Sequence, residues 1–328
     1  MGKKVVTNDF LQANRQTSLA FIVNDDVKLA IDDVDWLTKR HDAVTYRDTI
    51  AHNFGGVFYL DDENSWLDMI AANIQALAAK YRGPELARKR ALAYWALFQS
   101  CLAKRPFNLF HRANLNLRTA DVARQFGNKV TWDKPFPEHF RKFVDQANAR
   151  VFSNGLRHET YCTEASRLPK LDVDLVYLDP PYIPKLKQPL RDSESGAKRR
   201  KAKAKPIPRA QDYWAMYHFV EGLVYYDSWE KWIDPDSATK TRRRKPNPAD
   251  SPEMLVSLVA RLAQGFPRAK LVLSYKTPGM PSISTLRSVL ASCNRDVSQV
   301  STHHSYALNR SNGTGKGHRE VLLIGTSR

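Results

Sequence analysis

The feature that most constrains this chain is the apolar run Val173-Asp174-Leu175-Val176-Tyr177-Leu178, which stops on Asp179-Pro180-Pro181-Tyr182. Its β-branched and aromatic residues read as a strand, and the two prolines end it because neither can donate to a sheet ladder. Other strand patterns lie at the run ending on Asp9, at Thr160-Tyr161-Cys162, from Ala269 to Tyr275, near Val297 and from Val321 to Gly325. Helical spacing fills the intervals Phe10 to Val23, Asp212 to Trp232, Pro252 to Gln264 and Ser284 to Cys293. Strands alternating with helices predict an α/β fold with a parallel, doubly wound sheet, whose ligand crevice lies beyond the carboxyl ends of the strands. Asp179 falls at such an end.

Residues 36–150 break the alternation. Trp66 to Tyr81, Pro84 to Lys104 and Pro137 to Val151 carry apolar residues three and four apart, the spacing of one helix face. The block reads as a helical insertion between residues 1–35, which start the α/β domain, and residues 151–328, which complete it. Residues 185–209 are basic and lack periodic apolar positions, so an exposed loop is predicted there.

Lys and Arg number 51 against 34 Asp and Glu, a formal net charge of +17. Such an excess favours a polyanionic partner, nucleic acid first among them. No apolar run reaches the roughly 18 to 20 residues that span a bilayer, and the expected location is the cytoplasm. Three well-separated cysteines, Cys101, Cys162 and Cys293, provide neither a disulfide framework nor a Cys-x-x-Cys knuckle. His218 and Glu221, one helical turn apart, lack companion ligands at metal spacing, so no metal is expected.

The chemistry of Asp179-Pro180-Pro181-Tyr182 follows from its residue types. A carboxylate and the adjacent Pro180 carbonyl form a pair of acceptors able to take both protons of an exocyclic amine. That would localise on nitrogen a lone pair otherwise delocalised into a ring. The prolines stiffen the turn and bring no N–H of their own, and Tyr182 offers a face on which a base can stack. An ordinary turn would need the two prolines but not the flanking Asp and Tyr.

The motif resembles that of the amino-methyltransferases acting on adenine in DNA, in particular the Dam-like α group, in which a target-recognition insertion precedes it. Further resemblance lies in Thr7-Asn8-Asp9-Phe10, Glu63-Asn64-Ser65-Trp66-Leu67-Asp68, Phe110-His111-Arg112-Ala113-Asn114-Leu115, Tyr217 to Leu223, Leu273-Ser274-Tyr275-Lys276 and Leu322-Leu323-Ile324-Gly325. The resemblance implies a Rossmann-like S-adenosylmethionine-dependent methyltransferase sheet with a helical insertion that recognises the target. Its substrate would be double-stranded DNA with a flipped adenine, and a cognate restriction nuclease is a possible partner. Asp179 and Pro180 would engage the amine, Pro181 would stiffen the turn and Tyr182 would stack on the base. Asp9 would hold the ribose hydroxyls of the cofactor, and Glu164 would lie near its adenine; helix capping is the competing role for Asp9, capping or plain exposure for Glu164. Methylation of cytosine or of RNA, and a DNA-binding remnant without activity, are the rival functions.

Arg112, Lys198, Arg199, Arg200, Arg242, Arg243 and Arg244 are the candidate nucleic-acid contacts. One family element is missing: the strand and Phe-x-Gly-x-Gly loop that wrap the methionine part of the cofactor. Gly55-Gly56 and Gly313-Thr314-Gly315-Lys316-Gly317 do not replace it. The expectation is a gap between the strands ending at Asp9 and Asp179, arising from a misassigned start or a truncated gene. Calorimetry with S-adenosylmethionine should therefore register weak or absent binding; micromolar affinity would contradict this expectation.

Overall fold

The computed structural model describes residues 2–106, 109–121, 129–185, 210, 212–242, 249–303 and 319–328. They gather into two compact units, Met1–Thr163 with Tyr213–Arg244, and Glu164–Asp212 with Lys245–Arg328.

In the first unit, β1 (Val6–Asp9) pairs in parallel with β2 (Glu159–Cys162), Asp9 standing opposite Cys162. β1 leads into α1 (Gln12–Ser18), which widens into a π-helical turn over Leu19–Val23. Between this turn and β2 the described residues hold α2 (Ile31–Leu37), α3 (Thr49–Asn53), α4 (Asp61–Ala76), α5 (Gly83–Ala103), the short α6 (Asn116–Thr119) and α7 (Lys129–Asp133), and α8 (Phe136–Asn148). α9 (Tyr213–Val224) and the 3-10 turn Tyr226–Trp232 complete the unit. Residues 36–150 thus share one core with α1 and α9.

Periodicity explains how these helices pack. Phe136, Phe140, Val144 and Ala147 fall on one stripe of α8 and are buried, so that α8 lies along α5. At the centre Phe110 stacks on Phe219 with ring centroids 5.0 Å apart, and Phe58 meets Phe219 edge-on at 5.4 Å.

Buried carboxylates join the helices. Glu63 accepts the Leu60 amide at 3.0 Å and pairs with Lys104 and Arg118, each at 2.7 Å. Burial pushes the Glu63 carboxyl up, but hydrogen bonds from Arg118 and Lys104 outweigh it and leave the net shift downward. Asp68 accepts the Ile50 and Ala51 amides at the start of α3, at 2.8 and 2.9 Å, and the Tyr226 hydroxyl at 2.6 Å. Glu221 does the same for α1, taking Gln12 N–H at 3.0 Å and Ala13 N–H at 2.8 Å. These groups satisfy amides that a helix start leaves unpaired. His218, one turn from Glu221, places Nε2 3.3 Å from the Phe110 carbonyl, and burial pushes its pKa down to about 3.

The second unit carries a four-stranded sheet in the order β3 (Leu175–Leu178), β4 (Lys270–Thr277), β6 (Arg319–Ser327), β5 (Arg295–His303). β3 and β4 are parallel, whereas β6 runs antiparallel to both β4 and β5. The expected all-parallel sheet is corrected here. β5 and β6 pair from Arg295 opposite Ser327 to His303 opposite Arg319, and a strand returning beside its predecessor must reverse direction unless a crossover intervenes. β1 and β3 belong to separate sheets and do not pair with each other.

α10 (Pro252–Gly265) and α11 (Ile283–Ser292) supply Leu255, Val259, Leu286 and Leu290 to a core with Leu271, Leu273, Tyr275, Val321 and Leu323. Buried Arg295 joins the end of α10 to the sheet by donating to the carbonyls of Ala263 at 3.0 Å, Ala269 at 2.7 Å and Gly325 at 3.3 Å. Among the described residues no helix is long and apolar enough to cross a membrane.

Gly222 shows how tightly α9 is seated. A Cβ built there would lie 1.9 Å from the Trp229 indole, a contact no relaxed packing tolerates. Gly222→Ala should destabilise the protein by about 1–3 kcal/mol or more, read as a lower denaturant midpoint; an unchanged midpoint would contradict the packing.

Candidate active site

β3 delivers its motif to the carboxyl end of a parallel pair, with Leu178 opposite Leu273 of β4. Asp179 follows at the level where β4 presents Ser274, Tyr275 and Lys276. Beyond the prolines the chain is fastened to the loop after β4: Met280 N–H donates to the Ile183 carbonyl at 2.9 Å, and Ile183 N–H donates to the Tyr275 hydroxyl at 3.2 Å. That hydroxyl in turn donates to the Met280 carbonyl. Gly279 allows this closure, since a Cβ there would stand 2.7 Å from the Lys276 carbonyl. The motif is held on both sides of its prolines.

Tyr182 is half-buried and oriented by β4 and β6. Its hydroxyl donates to Glu320 Oε2 at 3.0 Å and lies 3.4 Å from Ser274 Oγ. Tyr275 meets the ring edge-on, with centroids 5.4 Å apart and planes at 83°, and Lys276 Nζ stands 5.4 Å from the ring centroid, within cation–π reach. Lys276 and Glu320 are register partners across the antiparallel β4–β6 pair. Burial pushes the Tyr182 hydroxyl upward, reinforced by the carboxylates of Asp179 and Glu320.

Asp179 is solvent-accessible, yet the strand ends crowd its carboxyl. Desolvation raises its pKa, the Glu320 charge raises it further, and the neighbouring Tyr182 hydroxyl works in the opposite direction. The structure thus gathers Asp179 and Tyr182 with Ser274, Lys276 and Glu320. Glu320 escapes sequence reasoning: it stands at the start of an apolar strand like any solvent-side acid, and only the β4–β6 register brings it to the motif.

The remaining expected residues lie elsewhere. Asp9 ends β1 in the first unit and receives Leu11 N–H on Oδ1 at 2.8 Å and Asn14 Nδ2 on Oδ2 at 2.9 Å, the hydrogen bonds of a helix start. Beside it Asn8 ties β1 to β2, donating to the Thr163 carbonyl at 3.1 Å and accepting its amide at 3.2 Å. Glu164 opens the second unit, its carboxylate 3.2 Å from Arg167 on a one-turn 3-10 helix, Ala165–Arg167. Arg112 and Arg242 are exposed in the first unit. Lys198, Arg199, Arg200, Arg243 and Arg244 fall outside the described residues.

The profile of the D12 class N6 adenine-specific DNA methyltransferases matches residues 1–217. The chain belongs to that family. It is also 25% identical over 337 aligned residues to the Type II methyltransferase M2.HphI of Haemophilus parahaemolyticus, covering 100% of this chain and 85% of that relative. No solved structure matches the methyltransferase.

The raised pKa of Asp179 has a stability consequence. Its folded-state value lies above the unfolded one, so the associated stabilisation is present at low pH and is lost as pH rises through the folded-state value. Asp179→Asn, neutral throughout, should unfold at the same temperature as the parent at about pH 4 and at a higher one at about pH 7.5. A difference independent of pH would argue against a raised value.

Proposed function

We propose that this methyltransferase transfers the methyl group of S-adenosylmethionine to the exocyclic amine of an adenine flipped out of double-stranded DNA. The observation that carries the proposal is the placement of Asp179 and Pro180 at the carboxyl end of β3, with Tyr182 fixed beside them by Glu320 and Ser274. The Asp179 carboxylate accepts one amine proton and the Pro180 carbonyl the other, so the nitrogen lone pair is held out of the ring and faces the methyl donor. Pro181 keeps the turn stiff, and Tyr182 stacks on the base. S-adenosylmethionine supplies an electrophilic methyl on a sulfonium centre. The amine gains the methyl and sheds a proton afterwards, so no base is needed before transfer, and no metal takes part.

The first unit suits the nucleoside half of the donor. Both Asp9 oxygens accept protein donors that fix the carboxylate, and each retains a lone pair for a ribose hydroxyl at the end of a parallel strand. Glu164 is the second acid assigned to the cofactor, near its adenine. In this proposal the methyltransferase fold is Rossmann-like, and the helices within residues 36–150 read the target sequence. Arg112, Lys198, Arg199, Arg200, Arg242, Arg243 and Arg244 contact phosphates, a role that suits the +17 charge. The resemblance to a Type II methyltransferase supports a restriction–modification setting with a cognate nuclease, in the cytoplasm.

Incubation with labelled S-adenosylmethionine and unmodified DNA, followed by digestion to nucleosides, tests this. At saturating S-adenosylmethionine, which offsets weak binding, N6-methyladenine is expected, with Asp179→Ala reducing its rate by about 10²–10³-fold and Tyr182→Ala by about 10-fold or more. Label in cytosine, or in RNA offered instead, would select another acceptor; DNA binding without transfer would select the inactive remnant.

A further inference from the structure

Asp179 and Glu320 bring two carboxylates to the rim that holds Tyr182, Glu320 by accepting the Tyr182 hydroxyl at 3.0 Å. A DNA strand brought to that rim carries one phosphate charge for about every 3.4 Å along the axis, and like charges so placed repel unless cations offset them. Two cations stand on the adjoining strands. Lys276 of β4 holds Nζ 5.4 Å from the Tyr182 ring centroid and lies opposite Glu320 in register. Arg319, the residue before Glu320 on β6, is exposed and lies opposite Thr277. We propose that Lys276 and Arg319 are phosphate contacts for the target strand, Lys276 at the flipped nucleotide and Arg319 at a phosphate beside it. This rests on the reaction proposed above and extends the DNA surface to residues that belong neither to the motif nor to the charge runs.

Adjacent strands stand about 4.8 Å apart, so the step from β4 to β6 is of the order of the spacing between phosphates on one strand. Side chains alternate across a strand, which puts Lys276 and Glu320 on one face and Thr277 and Arg319 on the other. The two cations therefore straddle the rim, and a backbone laid across the strand ends meets both. A base stacked on Tyr182 brings its own phosphate along, tethered through one sugar, to a ring that already has an ammonium beside it. Lysine binds phosphate as a point charge on a flexible stem, and an exposed cation–π contact is weak enough to give up for one.

Protection of a sheet edge does not account for these residues. In the order β3, β4, β6, β5 the strands β4 and β6 are interior and paired on both sides, so no cation is needed on them to block edge pairing. His303, opposite Arg319 on the edge strand β5, is open to that reading and is not included. Nor does charge alone single out Lys276, because Lys270 is exposed at the other end of the same strand. What differs is the surroundings: Lys270 lies opposite Leu175, whereas Lys276 has the stacking ring and Glu320 beside it.

Fluorescence anisotropy with a labelled duplex of about 30 base pairs and arbitrary sequence, titrated between about 50 and 200 mM salt, tests the contacts without turnover. Lys276→Gln and Arg319→Gln should each make the slope of log K against log salt shallower by about 0.9, and the double variant by about 1.8, so that its affinity deficit shrinks about ten-fold over that range. Lys276→Arg retains the charge and should retain the slope, and Lys270→Gln should leave it unchanged. Arg319→Gln alters an exposed side chain and keeps the test open if Lys276→Gln does not fold. On DNA carrying the methylated site, a methylphosphonate next to the target adenosine should weaken the parent, yet add less than about two-fold to the loss in the double variant. An unchanged slope in the double variant would overturn the proposal, as would full additivity with the methylphosphonate, or an equal fall in Lys270→Gln, which would make the effect one of net charge. A parent that binds DNA and transfers no methyl group would refute the proposed reaction, and the slopes would still decide whether this rim holds DNA.

Discussion

The register between β4 and β6 is the constraint on which the second unit depends. It places Lys276 opposite Glu320 and Ser274 opposite Leu322, so that a cation, an anion and a hydroxyl surround Tyr182. Because side chains alternate across a strand, a slip of one residue would turn Glu320 to the other face and bring Val321 and Leu323 out of the core. The apolar pattern of β6, with Val321 and Leu323 buried under α10 and α11, therefore fixes the polar site indirectly. Core packing, not the site's own hydrogen bonds, sets where the acid stands.

In the first unit the corresponding role falls to buried carboxylates. Glu63, Asp68 and Glu221 each complete the amides of a helix start, and two of the three do so for a helix other than their own. A buried charge is costly unless paired, which makes each contact specific to one arrangement of helices. Asp68 shows the balance: two amides and a tyrosine hydroxyl reach it, and burial still leaves its pKa raised.

What the sequence made legible divides along the same line. The helices α5, α8, α10 and α11 and the strands β3 and β4 follow from local spacing, and the prolines after Leu178 mark the motif without help from the rest of the chain. Glu221 and Gly222 fall within a recognisable block, but that one would cap α1 and the other admit Trp229 depends on partners far along the chain. The antiparallel course of β6 was not legible either, since an apolar strand has the same alternation in either direction. Asp9 was open between ligand and helix cap, and its bonds to Leu11 and Asn14 are those of a cap that still leaves acceptor capacity.

Two carboxylates beside one tyrosine is an arrangement that stability alone would not select. Glu320 raises the pKa of Asp179, a repulsion that an amide at either position would relieve. In the proposed reaction, however, a weaker acceptor at Asp179 would do less to hold an amine lone pair out of its ring, and a neutral residue in place of Glu320 would hold the Tyr182 hydroxyl less firmly. The cost is also contained. Asp179 lies at an exposed strand end, where solvent screens the repulsion, while the apolar side of the sheet beneath it is closed by Leu271, Leu273, Leu323 and the two covering helices. Placing the strain at the rim of the sheet lets the core remain well packed while the motif carries a charge it would be more stable without.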